Sequence, residues 1–527
     1  MIIDVSPDVY KDTNIDKWIS SNIILNSSKE IINNLIKTPI NDINILKSRQ
    51  NVINMYDITY QLYYLKEFEL DIEWVLNLNS KSNNIENDYM EILFPNNWYN
   101  NIINLVNPTI ELYHLYRIYS IPLFQLISPI SILLGPYYYI KYMLKINLKL
   151  NDYFIYIWKI LKFYINSGTN IKSKIIKWIS FLIYCFLYIY SLFQIVDSSY
   201  KIHKFRTDLL IKINNIKNFI KTGNNLLNKI NKNIWINYTD NSYYDNNFEI
   251  NGDLLDIYNF WLDNNNYKYR LKRLIYCINI LDVTNLIKKL YINNDYCLVN
   301  YDKETKIYGM KNPLLNKEQI SNPCKLNKNL IITGPNAAGK TTYVKTIVFN
   351  IILAQTFGIA MATKMFLKPY DIIHTFMRVN DEVGKLSFFE TEIKYCKDIL
   401  LKANEYKNKN ILFVMDEPMH STPPIEGQST AYALCEYINL NNKNCKLIVT
   451  THYHLLVDLE TKYKQDFKNI SMEAIEYDLY NFKFPYKLLN KSSKQCIALE
   501  LLGREMFPPQ LIQSAIKIKN TISKHIK

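Results

Sequence analysis

The sequence predicts an α/β domain built on a parallel sheet, preceded by a mostly α-helical half. Three observations carry this expectation. Ile331–Tyr343 reads as a short apolar strand, a glycine loop and the start of a helix. Two further apolar runs, Ile411–Met415 and Lys446–Thr450, end in carboxylates and beside a histidine, as central parallel strands do at the carboxyl edge of a sheet. Upstream of residue 300, apolar residues recur at three- and four-residue steps between Asn-rich loops such as Lys81–Asn87 and Asp263–Tyr267, the helical period.

The glycine loop is the most informative segment. Gly334–Thr341, GPNAAGKT, fits G-x-x-x-x-G-K-[ST] in full. Gly334 and Gly339 let the backbone of the loop Pro335–Thr342 curl so that its N–H groups, among them those of Asn336, Ala337 and Ala338, face a phosphate. Lys340 reaches the β/γ oxygens, Thr341 offers a hydroxyl to Mg²⁺, and the helix beginning near Lys340 adds its positive end to the same anion. Strand, loop and helix in this order favour the phosphate reading over a chance turn. ATP and Mg²⁺ are the expected ligands.

Downstream partners decide the class of chemistry. Asp416 and Glu417 close the run ILFVMDE, where one acid would hold Mg²⁺ and the next would polarise an attacking water. His452 follows the last apolar strand, placed to sense the γ-phosphate. In isolation each has a plain reading, a solvated strand end and a structural histidine.

With these blocks in hand, the sequence resembles the MutS family of ATPases, of the ABC class. The resemblance rests on TGPNAAGKTTYVKT (Thr333–Thr346), SFFETEI (Ser387–Ile393), DEPMHSTPPIEG (Asp416–Gly427) and TTHYHLLVDLE (Thr450–Glu460), and covers roughly residues 309–520. It implies a P-loop (ABC-type) ATPase domain in which Lys340, Thr341 and Asn336 meet the phosphates and magnesium. Asp416 would organise the metal, Glu417 would act as catalytic acid, His452 as switch, and Ser387 would complete the site of the opposite subunit. It also implies a homo- or heterodimer through this domain and duplex DNA as partner, with low sequence specificity. The segment Ser493–Ile518 reads as helix, turn at Phe507–Pro509, then helix, which the resemblance assigns to dimerisation; a packed hairpin within one subunit reads the same.

Departures from the family pattern are local. After the two acids this chain has Pro418–Thr422 and then Pro423-Pro424 instead of a glycine-rich basic turn; the prolines fix φ and remove N–H donors, so coupling between paired sites is expected to differ. Gln319 and Ile320 stand where the family tends to place an adenine-stacking aromatic.

Composition adds little about partners. The net charge is +14 from 62 Lys+Arg against 48 Asp+Glu, yet only seven of the basic residues are Arg, and Lys, Asn, Ile and Tyr are inflated together as an AT-rich genome would produce. The charge is weak evidence for nucleic acid. Eight scattered cysteines without a C-x-x-C pair read as reduced thiols. Met1–Val9 carries Asp4 and Asp8, unlike a signal's basic start. The expected setting is cytoplasm or nucleus.

In the upstream half, Lys201–Trp235 shows apolar residues at helical spacing, which predicts one long amphipathic helix or two broken near Gly223; the resemblance assigns it as a lever. No convincing Phe-x-Glu mismatch wedge is found there, so direct mismatch reading by this chain alone is not expected. Ile118–Ile140 and Trp178–Val196 run 23 and 19 residues without a charge. Each is long enough to cross a bilayer, and burial as core helices is the competing reading. The intervening Lys141–Lys177 holds eight Lys and one acid, which opposes the positive-inside tendency for two crossings and suits a hairpin dipping in from the cytosol, with the ATPase domain on the cytosolic side.

The expected organisation is therefore a helical region over 1–117, a hydrophobic helical region over 118–200, lever and core helices over 201–304, a MutS-like ATPase domain over 305–490 and a dimerisation element over 491–527. The expected function is an ATP-hydrolysing dimeric clamp on distorted or branched DNA, in mismatch repair or recombination. The alternative is a membrane-associated ATPase of the same family without direct mismatch recognition.

Overall fold

The computed structural model describes residues 2–81, 85–95, 103–167, 171–230, 248–293, 295–316, 318–377, 388–478, 481–495, 497, 499–500, 502 and 507–525. The chain is mixed α/β and divides into two compact units. One gathers Met1–Lys66, Leu226–Tyr244 and Ile275–Lys527; the other gathers Glu67–Asn225 and Asp245–Leu274. The expected divisions at 117, 200, 304 and 490 do not coincide with these units. The reason is visible at the N-terminus, where β1 (Asp4–Val5) pairs in parallel with β8 (Ile372–Phe376). Arg49 donates to the Thr356 carbonyl at 2.5 Å, and Gln355 to the Ile40 carbonyl at 3.2 Å.

The first unit is organised by a seven-stranded sheet. Its other strands are β5 (Asn329–Thr333), β9 (Ile411–Asp416), β10 (Cys445–Thr450), β11 (Phe467–Met472) and β14 (Leu488–Leu489), in the order β1-β8-β9-β10-β5-β11-β14. All pairings are parallel except the last. Every residue of β5, β8 and β9 is buried, so burial along these strands is continuous rather than alternating, as in a sheet covered on both faces. Ile411, Phe413 and Met415 of β9 share one face with Leu447 and Val449 of β10 and pack on Ile399, Ala403, Leu434 and Ile438, which lie on the helices Phe388–Glu405 and Pro424–Asn441. Each such side chain removed from water contributes about 1.5–3 kcal/mol. A second sheet has the order β4-β3-β7-β2-β6, from β2 (Cys297–Tyr301), β3 (Lys306–Met310), β4 (Asn322–Lys325), β6 (Ile359–Ala360) and β7 (Lys364–Leu367).

The second unit is helical. Its core is aromatic, with Phe94 against Tyr258 and Trp261 at ring-centroid distances of 5.8 and 6.3 Å, and Trp261 donating to Asn87 Oδ1 at 2.7 Å. Of the two alternatives for this segment, the structure has the unbroken helix: one element runs from Ile171 to Lys229 through Gly223, so the second apolar stretch and the expected lever are a single helix. Ile202, Leu209, Ile213, Ile216, Phe219 and Ile220 of it are buried, the face the periodicity predicts, while Ile234 and Trp235 lie outside the described residues. Of the C-terminal hairpin, the turn at Phe507-Pro508 and the helix Pro509–His525 are described; much of its first half is not.

Candidate functional site

The site grows from the carboxyl ends of β5, β9 and β10, which are adjacent in the sheet. The chain leaves β5 through Gly334, whose φ is +144°. A Cβ there would lie 2.0 Å from the Met472 carbonyl oxygen, so only glycine lets the loop pass. Ala337 and Gly339 follow at φ +65° and +94°, and the helix Lys340–Phe357 starts directly afterwards. The first-turn N–H groups of a helix have no acceptor within it, which makes a helix start at the end of a glycine loop suited to an anion. Lys340 is 5% exposed; its ammonium donates to the carbonyls of Gly334 and Pro335 at 2.8 and 3.1 Å. The cation is thereby held at the mouth of the loop.

The β9 strand delivers the two acids. Asp416 takes a hydrogen bond from Thr341 Oγ1 at 2.8 Å and another from Thr450 Oγ1. Glu417 then turns out of the strand at φ +54°, followed by Met419 at +61°, left-handed conformations that L-residues keep only when their surroundings impose them. The imposing contact is β10: Glu417 N–H donates to Thr450 O at 3.0 Å and to its hydroxyl at 3.1 Å. His452, just past β10, places Nε2 2.8 Å from Glu417 Oε1 and 2.8 Å from Asn336 Oδ1. An acceptor carboxylate at that distance assigns the proton to Nε2. Lys340 Nζ is 3.9 Å from Glu417 Oε1. Asp416 and Glu417 are 4% and 8% exposed, so this cluster of charges is withdrawn from water, where electrostatic interactions are stronger.

Asn336, Lys340, Thr341, Asp416 and Glu417 line a cleft of about 970 Å³, a size that accommodates a nucleotide, while His452 stands behind two of them, Asn336 and Glu417. A Thr hydroxyl beside a carboxylate is a hard oxygen pair that suits Mg²⁺, which takes one or two protein ligands and completes its shell with water and phosphate. Among the described residues no group of three or more His, Cys, Asp or Glu forms an all-protein metal cage. Thr341, Thr342, Asp416 and Glu417 all line the cleft with Pro335, Asn336, Ala337, Gly339 and Lys340. Ser387 lies outside the described residues.

Other residues of the cleft carry no motif. Asp12, from the helix Pro7–Thr13, lines it and accepts from Thr375 Oγ1 at 2.7 Å; burial pushes its carboxyl above the usual range, opposed by that bond and by Lys345. No spacing rule links residue 12 to a loop at 334. Tyr486 stands beside Gly339, with its Cδ1 3.1 Å from where a glycine Cβ would be, and its carbonyl accepts from Asn322 Nδ2 at 2.8 Å. An aromatic thus reaches the cleft from after β13 (Asn481–Lys483), although positions 319 and 320 supply none. Gln319 instead grips the Asn312 backbone, accepting at 2.7 Å and donating at 2.9 Å. Glu392, in the SFFETEI block, is buried and accepts from His420 N and Ser421 N, both at 3.2 Å, and from Ser421 Oγ. It ties that block to the proline-rich turn after the acids.

Comparison with known proteins agrees with this geometry. Residues 330–523 match the family described as MutS domain V. The DNA mismatch repair protein MutS of Clostridium perfringens is 32% identical over 270 residues, which are 49% of this chain and 29% of that protein. The protein of the same name from Geobacillus sp. strain WCH70 is 28% identical over 48% of this chain and 30% of its own length. That of Bacillus subtilis strain 168 is 31% identical over 40% and 25%. The chain thus matches less than a third of the length of these relatives, and the family match falls on the unit that carries the cleft. In that region the chain is similar to MutS domain V.

Proposed function

We propose that this chain binds ATP in the cleft between the Gly334–Thr341 loop and the ends of β9 and β10 and hydrolyses it to ADP and phosphate. The observation that carries this reading is the convergence of two pairs on one loop, Thr341 with Asp416 and His452 with Glu417. The backbone of Pro335–Thr342 and the Lys340 ammonium bind the phosphates and offset their charge. Thr341 and Asp416 would hold Mg²⁺, which when bound would supply positive charge to offset that of the phosphates. Glu417 orients the attacking water and accepts its proton, and His452 Nε2 fixes the Glu417 carboxylate and reports occupancy of the γ position. Ser387 of a partner subunit completes the site in a dimer, so hydrolysis is coupled to opening and closing of a clamp. The domain is a P-loop ATPase of ABC type, facing the cytosol or nucleoplasm.

The substrate of the clamp is duplex DNA with distorted or branched structure, engaged through its backbone with low sequence specificity. The names of the relatives, all mismatch repair proteins, support this class. The test is ATP hydrolysis by the full chain, alone and with mismatched, branched and perfect duplexes over a salt series. Stimulation that is strongest with the distorted duplexes and fades with salt is expected; hydrolysis indifferent to every DNA sinks the clamp, and no hydrolysis at all sinks the ATPase. A second reading, attachment to a membrane, is favoured by one observation: among the described residues, the apolar stretches of the helices between residues 118 and 196 are almost entirely uncovered.

A further inference from the structure

Three helices of the second unit form an arm. The outgoing leg Ile121–Tyr138 and the early part of Ile171–Lys229, the return leg, are joined by a crossbar, Leu150–Asn166. The legs meet at their base, where Ser199 Oγ donates to Ile118 O at 2.5 Å and Tyr119 Oη lies 3.2 Å from His203 Nδ1. Both ends of the crossbar sit at the far end. Tyr153 Oη donates to Leu133 O at 2.6 Å, and Lys177 Nζ reaches Tyr164 O at 3.2 Å and Ser167 Oγ at 2.9 Å. The crossbar therefore lies across the tips of the legs.

The legs expose apolar side chains on every side. Phe186, Leu187, Tyr188, Ile189 and Tyr190 are consecutive and 68, 53, 39, 65 and 52% exposed, and five helical positions sweep the whole circumference. A second copy of the chain would need one apolar stripe, whereas apolarity all round fits only a full apolar surround. Ile132, Phe124 and Leu123 of the outgoing leg are similarly exposed, at 76, 67 and 55%. The hydroxyls of Ser128, Ser131, Ser180, Ser191 and Ser199 are satisfied within the arm, as a medium without water favours. Pro129 removes the helical donor for Gln125 O, and Ser128 Oγ supplies one at 3.0 Å. At the π-helical turn Tyr116–Ser120 before Pro122, Ser199 Oγ likewise donates to Ile118 O. Ser131, Ser180 and Ser191 donate to carbonyls of their own helices, and Gln194 to Tyr190 Oη.

Lengths and flanks match a bilayer. The 18 residues of the outgoing leg and the 19 of Trp178–Val196 each extend about 27–29 Å at the helical rise, against a hydrocarbon core of about 30 Å. Exposed Tyr116, Tyr119 and Tyr200 stand at the base and Tyr138, Tyr139, Tyr142 and Trp178 at the tips, the positions of interfacial belts. The crossbar mixes Lys159 and Lys162 with exposed Phe154, Trp158 and Tyr164, the composition of a helix lying among headgroups.

We propose that the two legs cross a lipid bilayer as a hairpin and that the crossbar lies in the headgroup layer of the far leaflet, its lysines against lipid phosphates. This rests on the membrane reading above and is narrower than it. A lysine-rich segment is favoured on the side where it is made, so the test reads the position of the far end directly. The full chain, and the variant Asn151→Cys, are synthesised without cells in the presence of closed phosphatidylcholine–phosphatidylglycerol vesicles, then floated, extracted with carbonate and treated with a membrane-impermeant polyethylene-glycol maleimide. The expected result is flotation that survives carbonate, with the extra tag at residue 151 appearing only after detergent opens the vesicles. The double variant I183D/F186D is expected to lose at least tenfold of the carbonate-resistant fraction while still binding a labelled ATP analogue, which shows that the rest of the chain folds. Flotation that carbonate strips, or tagging in closed vesicles, leaves attachment standing and overturns the crossing. ATP-binding protein that never floats, whether monomeric or self-associated, overturns both.

Discussion

The strand β9 and the return leg are the same kind of sequence with opposite fates. ILFVM in β9 and FLYIY at 186–190 are both uncharged apolar runs, yet all six residues of β9 are buried and all five of the leg are exposed. The strand is enclosed because neighbours on both edges take its hydrogen bonds and helices cover both faces. The helix satisfies its own backbone and needs nothing beside it except something that is not water. An apolar run therefore identifies what a segment avoids, and the hydrogen-bonding scheme identifies what surrounds it.

The largest effect expected from this comparison comes from placing one carboxylate in each region. Val414→Asp puts an unpaired charge between two helix layers and should cost about 4 kcal/mol or more, enough to unfold the nucleotide-binding unit. Leu187→Asp should leave thermal unfolding of that unit, followed by its ATP-dependent shift, within about 0.5 kcal/mol of the parent. Equal damage from both would mean that the leg is a hidden core helix and the comparison is mistaken.

Inside the nucleotide-binding unit, the proposed roles predict a graded pair. Lys340→Ala removes the buried ammonium held by the Gly334 and Pro335 carbonyls and should weaken ATP binding about 100-fold or more, the loss of a charge-assisted contact at the phosphates. Glu417→Gln keeps the volume and a partner for His452 while losing the base; it should bind ATP within about threefold of the parent and slow turnover at least about 100-fold. Equilibrium binding and single-turnover hydrolysis separate the two. A Glu417→Gln variant that hydrolyses normally removes that residue from the chemistry.

How much of this was readable in the sequence follows from where the information is stored. The loop, Asp416, Glu417 and His452 are legible because each is a local consequence of a strand ending, and a strand end is visible as a change from apolar to polar. Their convergence at 2.8 Å contacts follows once β5, β9 and β10 are neighbours. Asp12 and Tyr486 were not legible, since they reach the cleft by tertiary pairing of an N-terminal strand and by a loop with no spacing signature. The same pairing of β1 with β8 places residues 1–66 in the unit that was expected to begin near residue 305. The long helix Ile171–Lys229 was read as two elements because its surroundings change along it, from apolar all round to one apolar face, while its backbone does not.

The smallest predicted effect tests the buried side of the comparison through pH. His374, the middle residue of β8, is 6% exposed, and neither ring nitrogen has a hydrogen-bond partner. Tyr395 and Phe413 stand edge-on to the ring at 6.0 and 6.2 Å. Burial pushes its pKa below the usual histidine value, and Lys402 adds to this while Asp8, Asp4 and Asp398 oppose it. A depressed histidine is neutral in the fold and charged in the unfolded chain as pH falls through about 6.5, so the unfolded state binds the extra proton and stability declines with acid. One proton limits the slope to about 1.4 kcal/mol per pH unit. Asp12, raised by burial, acts with the opposite sign at lower pH, so the diagnostic quantity is the difference between parent and His374→Phe. Urea midpoints at pH 7.5 and 5.5 should fall for the parent by more than for the variant. A variant whose acid loss equals the parent's would place the ring in contact with water, and β8 would then not be the sealed strand that its neighbour β9 is.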